Sequence, residues 1–152
     1  MEFEFNDQIL KFRKDGEYNL ISNTTLGSYK EIEIDININK FTKTIDNGMI
    51  INILNYVHVE IEILQEMFKP LLGSLYLKFN EHCRESIPLN EIEFEFTGVW
   101  IKSMHIFNSQ FELIFNLNGK ENHPNIDVTG KWTINFSGSV NNWIISGVNR
   151  IG

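Results

Sequence analysis

The chain of 152 residues contains no alanine and a single cysteine, and it has no long apolar run. Alanine is the best intrinsic helix former, so its absence argues against a mainly helical fold. The single cysteine, Cys83, cannot close an intrachain disulfide, which argues against a cross-linked secreted scaffold. An apolar run of about 18 residues and a basic, then apolar, N-terminus are both missing, so we expect a cytoplasmic protein without a membrane-spanning helix.

Basic residues are also scarce, with 13 Lys and Arg against 20 Asp and Glu and a formal net charge of −7. Lys11, Arg13 and Lys14 form the densest basic group, and the acidic excess lies within residues 1–95. Nucleic-acid binding depends on neutralising phosphates with basic side chains. We therefore expect no direct contact with nucleic acid, and a protein partner of opposite, basic charge.

The composition that remains is typical of one globular domain. Hydrophobic residues make up 42% of the chain and charged residues 22%, without a low-complexity tract or a Gly/Ser linker. A chain of this length buries roughly 68–70% of its unfolded surface, enough for a core without metal or disulfides. We expect a single β-rich domain over residues 1–152, without a cofactor, and the oligomeric state stays open.

Strict alternation of apolar and polar residues indicates strands with one buried face. It occurs at residues 31–39, 57–63 and 91–97, and β-like composition follows at residues 109–117, 126–137 and 140–149. Apolar residues approach helical spacing only near Pro70, so at most one short helix is expected, near residues 63–72. The predicted fold is mainly β, either an antiparallel β-sandwich or a partly closed barrel or meander.

Three dipeptides suit the positive φ angles of hairpin turns: Asp15-Gly16, Asn47-Gly48 and Asn118-Gly119. If Asn47-Gly48 is such a turn, residues 31–39 pair with residues 57–64 and their apolar side chains share one face. The opposite face then carries a partner-binding set of four carboxylates and one imidazole: Glu33, Asp35, Glu60, Glu62 and His58.

Like charges that face each other across strands destabilise a sheet, so this acidic face requires compensation. Three sources are open: solvent with neighbouring lysines, a basic protein partner, or a metal or acid-base site. An acidic surface steers basic partners and gains strength when it is desolvated. Paired carboxylates near the spacing used by glycosidases are the basis of the catalytic alternative.

A Thr-Gly-x-Trp motif occurs twice, ending at Trp100 and at Trp132. In each copy the tryptophan shares parity with the apolar residues of its segment, so we expect both side chains in the core. Glycine on a buried strand face makes room for a large neighbouring ring. A ligand-stacking role is the alternative, with Trp143 as a third aromatic residue of such a site.

Gly98-Val-Trp100 and Gly130-Lys-Trp132 resemble the Gly-x-Trp signature of the lipocalins, although they lie late in the chain rather than near its N-terminus. In lipocalins an arginine of the last strand covers that tryptophan, a position that Arg150 would take here. The resemblance implies a closed or strongly curved sheet, and no ligand residues are carried over from it.

Motifs for catalysis or metal binding are missing from the sequence. Cys83 lies between His82 and Arg84, but neighbouring residues of a strand point in opposite directions, so we interpret the thiol as structural or incidental. The histidines lack metal-ligand spacing, and no phosphate loop or nucleophile elbow occurs. We assign no catalytic and no metal-binding residue.

The sequence therefore favours a non-enzymatic protein-binding module that uses an acidic sheet face. An inhibitor or immunity protein that neutralises a basic, nuclease-like toxin is the concrete example of this class. The alternatives are a β-barrel that binds a small molecule or carbohydrate through Trp100, Trp132 and Trp143, and thirdly a carboxylate-dependent hydrolase.

Overall fold

The computed structural model describes residues 1–38, 45–81, 87–104, 108–118 and 131–151, and the side chains of all of these except residue 151. Within these ranges lie a helix, α1 (Asn47–Phe79), and a 3-10 turn, Leu89–Glu91. The strands are β1 (Glu2–Phe5), β2 (Gln8–Lys11), β3 (Arg13–Asp15), β4 (Asn19–Leu26), β5 (Tyr29–Asn37), β6 (Glu93–Ser103), β7 (Ser109–Asn118), β8 (Lys131–Ser139) and β9 (Asn142–Ile151).

The strands form two sheets whose spatial order follows the chain. β1 and β2 make a two-stranded sheet, and β3 to β9 make a seven-stranded sheet in sequential order. Neighbouring strands are antiparallel except β5 and β6, which are parallel. Parallel neighbours require a crossover connection, and α1 is that connection.

Helix α1 covers one face of the large sheet, which we call the inner face; the opposite face is the outer face. Ile32, Ile34 and Ile36 of β5 are buried in one hydrophobic cluster with the helix, at no more than 2% exposure. Because strand side chains alternate, Glu33 and Asp35 of the same strand lie on the outer face.

The N-cap residue and a long buried apolar face account for this helix. Asp46 is the N-cap, and its side chain accepts a hydrogen bond from the backbone N–H of Met49 at 3.0 Å, as capping residues do. The buried side chains recur at helical spacing over about seven and a half turns: Met49, Ile50, Ile53, Leu54, Val57, Ile61, Leu64, Phe68, Leu72 and Tyr76.

This helix overturns the predicted central hairpin. Asn47-Gly48 begins α1 instead of forming a turn, and residues 57–63 are helical, so β5 pairs with β4 and β6. The expected short helix near residues 63–72 is present but is part of a helix of 33 residues. The prediction of a strand was wrong because Val57 and Ile61 are four residues apart, a spacing that fits both the two-residue period of a strand and the 3.6-residue period of a helix.

The other predicted turns have different outcomes. A hairpin does join β3 to β4, but Asp15 still pairs with Asn19, so the turn consists of residues 16–18 and not of Asp15-Gly16; Gly16 has a positive φ of +76°. Asn118 ends β7, whereas Gly119 lies outside the described residues. Of the strand expected at residues 126–137, the described part is β8, and residues 126–130 lie outside the described ranges. The small β1–β2 sheet buries Phe5 and Leu10 in the same core as α1.

The predicted fold class is confirmed in its main features: the described residues are mostly β and form two sheets, one helix and a 3-10 turn. The large sheet is not closed among the described strands, so the closed sheet that the lipocalin resemblance implied is absent there, while the strongly curved sheet that it also allowed stays a prediction. Arg150 does lie over the Trp132 ring, at 5.7 Å from its centroid. None of the described helical residues forms a segment with the length and apolarity required to cross a membrane.

Candidate functional site

A β-bulge in β6 brings Trp100 to the outer face. Phe96 pairs with Phe115 and Gly98 with Ile114, so Thr97 is an additional residue in β6 without a counterpart in β7. Beyond the bulge, Val99 and Ile101 face the core and Trp100 faces outward. An inserted residue shifts the alternation by one position. The expectation that Trp100 is a core residue is therefore wrong.

Trp100 is the centre of a row of side chains that crosses four strands on the outer face. It pairs with Asp35 of β5 on one side and with Glu112 of β7 on the other, and Glu112 pairs with Asn135 of β8. Neighbouring strands lie about 4.8 Å apart, so Asp35 and Glu112 flank the indole at a backbone separation of about 10 Å. We call Asp35, Trp100 and Glu112 the central row.

Each residue of the central row has one buried polar atom without a hydrogen-bond partner in the described part of the chain. These atoms are Asp35 Oδ1, Trp100 Nε1 and Glu112 Oε2. An unsatisfied buried polar group costs about 1–3 kcal/mol, which a bound water, ligand or partner group can recover. The central row therefore has two unpaired acceptors, on Asp35 and Glu112, and one unpaired donor, on Trp100, among the described residues.

Glu112 is nearly completely buried, at 2% exposure, and forms an ion pair with Lys102. The Lys102 Nζ atom lies 2.9 Å from Glu112 Oε1 and 5.0 Å from the centroid of the Trp100 ring. Lys102 therefore neutralises the buried carboxylate and interacts with the indole face. These contacts hold the Trp100 side chain against the outer face.

Asp35 is half-buried, and its environment disfavours the charged form. Desolvation raises the pKa of Asp35 above its ordinary value, and the neighbouring carboxylates of Glu33 and Asp15 raise it further, while Lys131 opposes them. A basic group brought to Asp35 would relieve this repulsion. The outer face is acidic here, because Glu33 and Glu95 are exposed on adjacent strands.

Two shallow depressions adjoin the central row. One, of about 130 Å³, is lined by Lys102, Gln110, Phe111, Glu112, Asn135, Phe136 and Ser146. The other, of about 170 Å³, is lined by Glu33, Thr97, Gly98, Ile114, Asn116 and Lys131. Both are smaller than the roughly 300–1,000 Å³ of drug-sized ligand pockets, so this face is better suited to contact with a surface.

The structure separates the residues of the predicted partner-binding set. Glu33 and Asp35 lie together on the outer face, as expected. His58, Glu60 and Glu62 lie on α1, which packs against the inner face. The predicted opposition of four carboxylates on one ladder does not occur. The role of these residues in binding a partner stays a prediction.

His58 and Glu62 instead hold the turn between β4 and β5. The backbone N–H of Gly27 donates to His58 Nδ1 at 2.9 Å, and that of Ser28 donates to Glu62 Oε1 at 2.7 Å. Desolvation acts to raise the pKa of Glu62, but hydrogen bonds from the side chain and backbone of Ser28, with help from His58, leave that pKa below its ordinary value. Both residues thus have structural contacts.

The other two tryptophans lie away from Trp100. Trp132 is fully buried in the core, as the motif predicted, with its ring close to those of Tyr76 and Phe94. Trp143 is partly buried, 5.1 Å from Phe111 between ring centroids. The small-molecule alternative placed the three indoles in one pocket, but the structure separates them.

Glu112 and Lys102 were not identified from the sequence, although Glu112 carries a recognisable signal. It is the single charged residue of the strand Ser109–Asn118 and lies between Phe111 and Leu113. An isolated acid in an apolar strand implies a paired or functional carboxylate, because burying an unpaired charge is costly.

No group of three or more metal-ligating side chains occurs within the described ranges. Cys83 and three of the four histidines, His82, His105 and His123, lie outside them, so the expectation of a structural thiol is not addressed by the structure.

Comparison with known proteins gives no relative. No family model matches the sequence, and neither the curated proteins nor the solved structures include a match to this chain. The geometry of the outer face is therefore the basis on which a function is proposed.

Proposed function

We propose that the protein is a non-enzymatic binding module that contacts a basic protein partner through the outer face of its large sheet. The observation that supports this most directly is the central row, in which Trp100 lies between two carboxylates that each have an oxygen without a hydrogen-bond partner among described residues. Arginine or lysine side chains would supply the missing donors.

The composition of the row resembles that of an interface anchor. Tryptophan is enriched among the residues that dominate binding energies, and it contributes large contact area at low entropic cost. Trp100 is half-buried and is held by Lys102, so little order is lost when a partner covers it. Glu33, on the neighbouring strand β5, adds exposed negative charge near it, which steers a basic partner.

Within this class, we propose an inhibitor or immunity protein that neutralises a basic, nuclease-like toxin. A nuclease binds phosphates in a basic cleft, and carboxylates on a rigid sheet can occupy that cleft in their place. The formal net charge of −7 supports the same partner class.

Co-expression and titration against purified basic nucleases test this proposal. Glu33→Gln, Asp35→Asn and Trp100→Ala, each alone, are expected to weaken binding by about tenfold or more, since hot-spot truncations cost about 2 kcal/mol or more. Rising salt should lower the association rate, because exposed charges are screened. Loss of nuclease inhibition should follow loss of binding.

The control is Glu4→Gln with Glu17→Gln, two exposed acids outside the outer face of β5 and β6. Removing these charges should change affinity by less than about twofold. A Glu60→Gln, Glu62→Gln pair tests the helix carboxylates separately. If the sheet variants bind like the wild type, the assigned surface is wrong; if no basic nuclease binds at all, the partner class is wrong.

The depression beside Glu112 favours a second candidate, a site for a small polar molecule. Glu112 Oε2, Asn135, Gln110 and Ser146 surround a volume of about 130 Å³ with both donors and acceptors. Such a site suits a neutral polyol or amide, because Lys102 already balances the carboxylate. A thermal-shift screen of sugars and polyols with Asn135→Ala as the negative variant would test it, and stabilisation equal in both proteins would contradict it.

A further inference from the structure

Helix α1 exposes an apolar stripe on the side that faces away from the sheet. Val59, Ile63, Met67 and Leu71 follow one another at intervals of four residues, with exposures of 68%, 62%, 55% and 45%. Residues four apart lie above one another on a helix, so these side chains form a continuous row. We call this row the helix stripe.

Packing among the described residues does not explain the helix stripe, since none of its four side chains belongs to the hydrophobic core. Val59 and Ile63 are β-branched, and such residues are poorer helix formers than leucine, lysine or glutamate. For Val57 and Ile61, complete burial at 0% exposure offsets this lower helix propensity. Val59 and Ile63 are mostly exposed, so burial does not offset it there. A functional role is expected for residues that have low helix propensity, lie in a helix and are not buried. Exposed apolar patches of this kind are typical of protein contacts.

The charges around the stripe indicate the kind of occupant. Glu60 and Glu66 lie beside it on the same helix, and Glu62 lies between Ile61 and Ile63. The nearest cation on the helix is Lys69, whose Nζ lies 2.7 Å from Glu66 Oε1. The segment from Val59 to Leu71 thus carries three carboxylates and one ammonium, and its rim is acidic.

We propose that the helix stripe is a docking surface for a basic amphipathic helix of a partner protein. An apolar row flanked by acids is complementary to a helix with an apolar face and lysine or arginine beside it. A second copy of this chain fits less well, because a two-fold contact would place the same acidic rim against itself. The surface is separate from the outer face of the sheet and does not depend on the function proposed for that face.

A synthetic leucine–lysine amphipathic peptide of about 14 residues, long enough for helix formation on binding, is the probe. Fluorescence anisotropy of the labelled peptide should show saturable binding to the wild-type protein. An Ile63→Gln, Met67→Gln double variant should bind about tenfold more weakly or worse, and a leucine–glutamate peptide of the same pattern should lose as much. Met67→Gln alone should lose about threefold.

Ile9→Gln with Ile144→Gln is the matched control, because these side chains are 66% and 62% exposed outside the helix. This variant and Asp35→Asn should each change peptide affinity by less than about twofold. The stripe substitutions should leave the circular dichroism melt unchanged, because both side chains are exposed and glutamine is a good helix former.

Equal affinity of the double variant and the wild type would overturn the proposal, as would equal binding of the acidic peptide. A wild-type dimer in sedimentation that the double variant abolishes would assign the stripe to a second copy instead. Loss of peptide binding in Asp35→Asn would move the site to the sheet, so failure here is distinguishable from failure of the proposed function.

Discussion

Gly27 donates its backbone N–H to Nδ1 of His58 at 2.9 Å and thereby joins the turn between β4 and β5 to the middle of α1. The neighbouring N–H of Ser28 reaches Glu62 one helical turn further on. The crossover helix is thus attached to the sheet by polar contacts as well as by the apolar core.

Replacing Gly27 by alanine should destabilise the protein by about 2–4 kcal/mol. Gly27 has a φ of +59°, and an added Cβ would lie 2.5 Å from Ile61 Cγ2 and 2.6 Å from Glu62 Oε1. Urea unfolding measures the change. Gly16→Ala is the control, with a φ of +76° and open space around it, and should cost only roughly 1 kcal/mol for backbone strain. Equal losses would contradict the close contact at Gly27.

Glu62→Gln should lower stability at neutral pH and have less effect in acid. The pKa of Glu62 is lowered in the folded protein, so its carboxylate stabilises the fold above the ordinary glutamate pKa, and this contribution disappears as the pH falls through the lowered value. Because Glu62 is exposed, solvent screens its charge, and we expect a loss of only about 0.5–1 kcal/mol at neutral pH, measured by urea unfolding across the pH range.

Glu66→Gln is the comparison for this effect. The Glu66 carboxylate hydrogen-bonds the exposed Lys69 side chain at 2.7 Å, and such surface pairs contribute little. The stability lost in Glu66→Gln should be clearly smaller than that lost in Glu62→Gln, since both side chains of the pair are exposed. A pH-independent effect of Glu62→Gln would show that the hydrogen bonds to Ser28 do not require the charge.

Asp35→Asn should stabilise the fold at neutral pH while it weakens binding to a basic partner. The pKa of Asp35 is raised by desolvation and by its acidic neighbours, so the native state favours the protonated form. The contribution of protonated Asp35 to the free energy of unfolding is fully present below the ordinary aspartate pKa, and it is lost as the pH rises through the raised value. Asparagine does not ionise, so the variant keeps its stability at neutral pH, and the melting temperatures of variant and wild type should converge in acid.

A melting temperature of Asp35→Asn below that of the wild type at neutral pH would contradict this reasoning. Glu4→Gln serves as the control, since Glu4 is exposed on β1 away from Asp35. Higher stability combined with weaker binding is the trade-off expected when a strained group is retained for function.

Lys102→Met should destabilise the protein by about 2 kcal/mol, because it leaves Glu112 charged and buried without its ion-pair partner. Lys102 is 38% exposed, which keeps the value below that of a fully buried pair. The double variant Lys102→Met, Glu112→Leu should recover most of the loss, to within about 1 kcal/mol of the wild type. Additive losses in urea unfolding would show that the pair is not coupled.

Much of the sheet was predictable from local sequence. Alternation in residues 31–39 and 91–97 identified β5 and the start of β6, and the buried isoleucines of β5 have the predicted parity. Half of the candidate site follows from that alternation, since Glu33 and Asp35 do lie on the polar face.

The other half of the site was not predictable, because it depends on strand order and on one bulge. Pairing of β5 with β6 brings Trp100 to Asp35, and the additional residue Thr97 turns that tryptophan outward. Trp132 belongs to the same motif in β8, whose described pairing with β7 has no bulge between Trp132 and Gly138, and its side chain lies in the core.

The sequence by itself determined that this is an acidic, mainly β domain, because composition and side-chain alternation act locally. Tertiary structure decided whether residues 57–63 are helix or strand. Their alternation fits a strand, but Val57 and Ile61 also belong to the buried apolar face of α1, which runs from Met49 to Tyr76. Burial of that whole face against the sheet favours the helix over the strand. The same choice leaves Val59 and Ile63 exposed and separates Glu60 and Glu62 from Glu33 and Asp35.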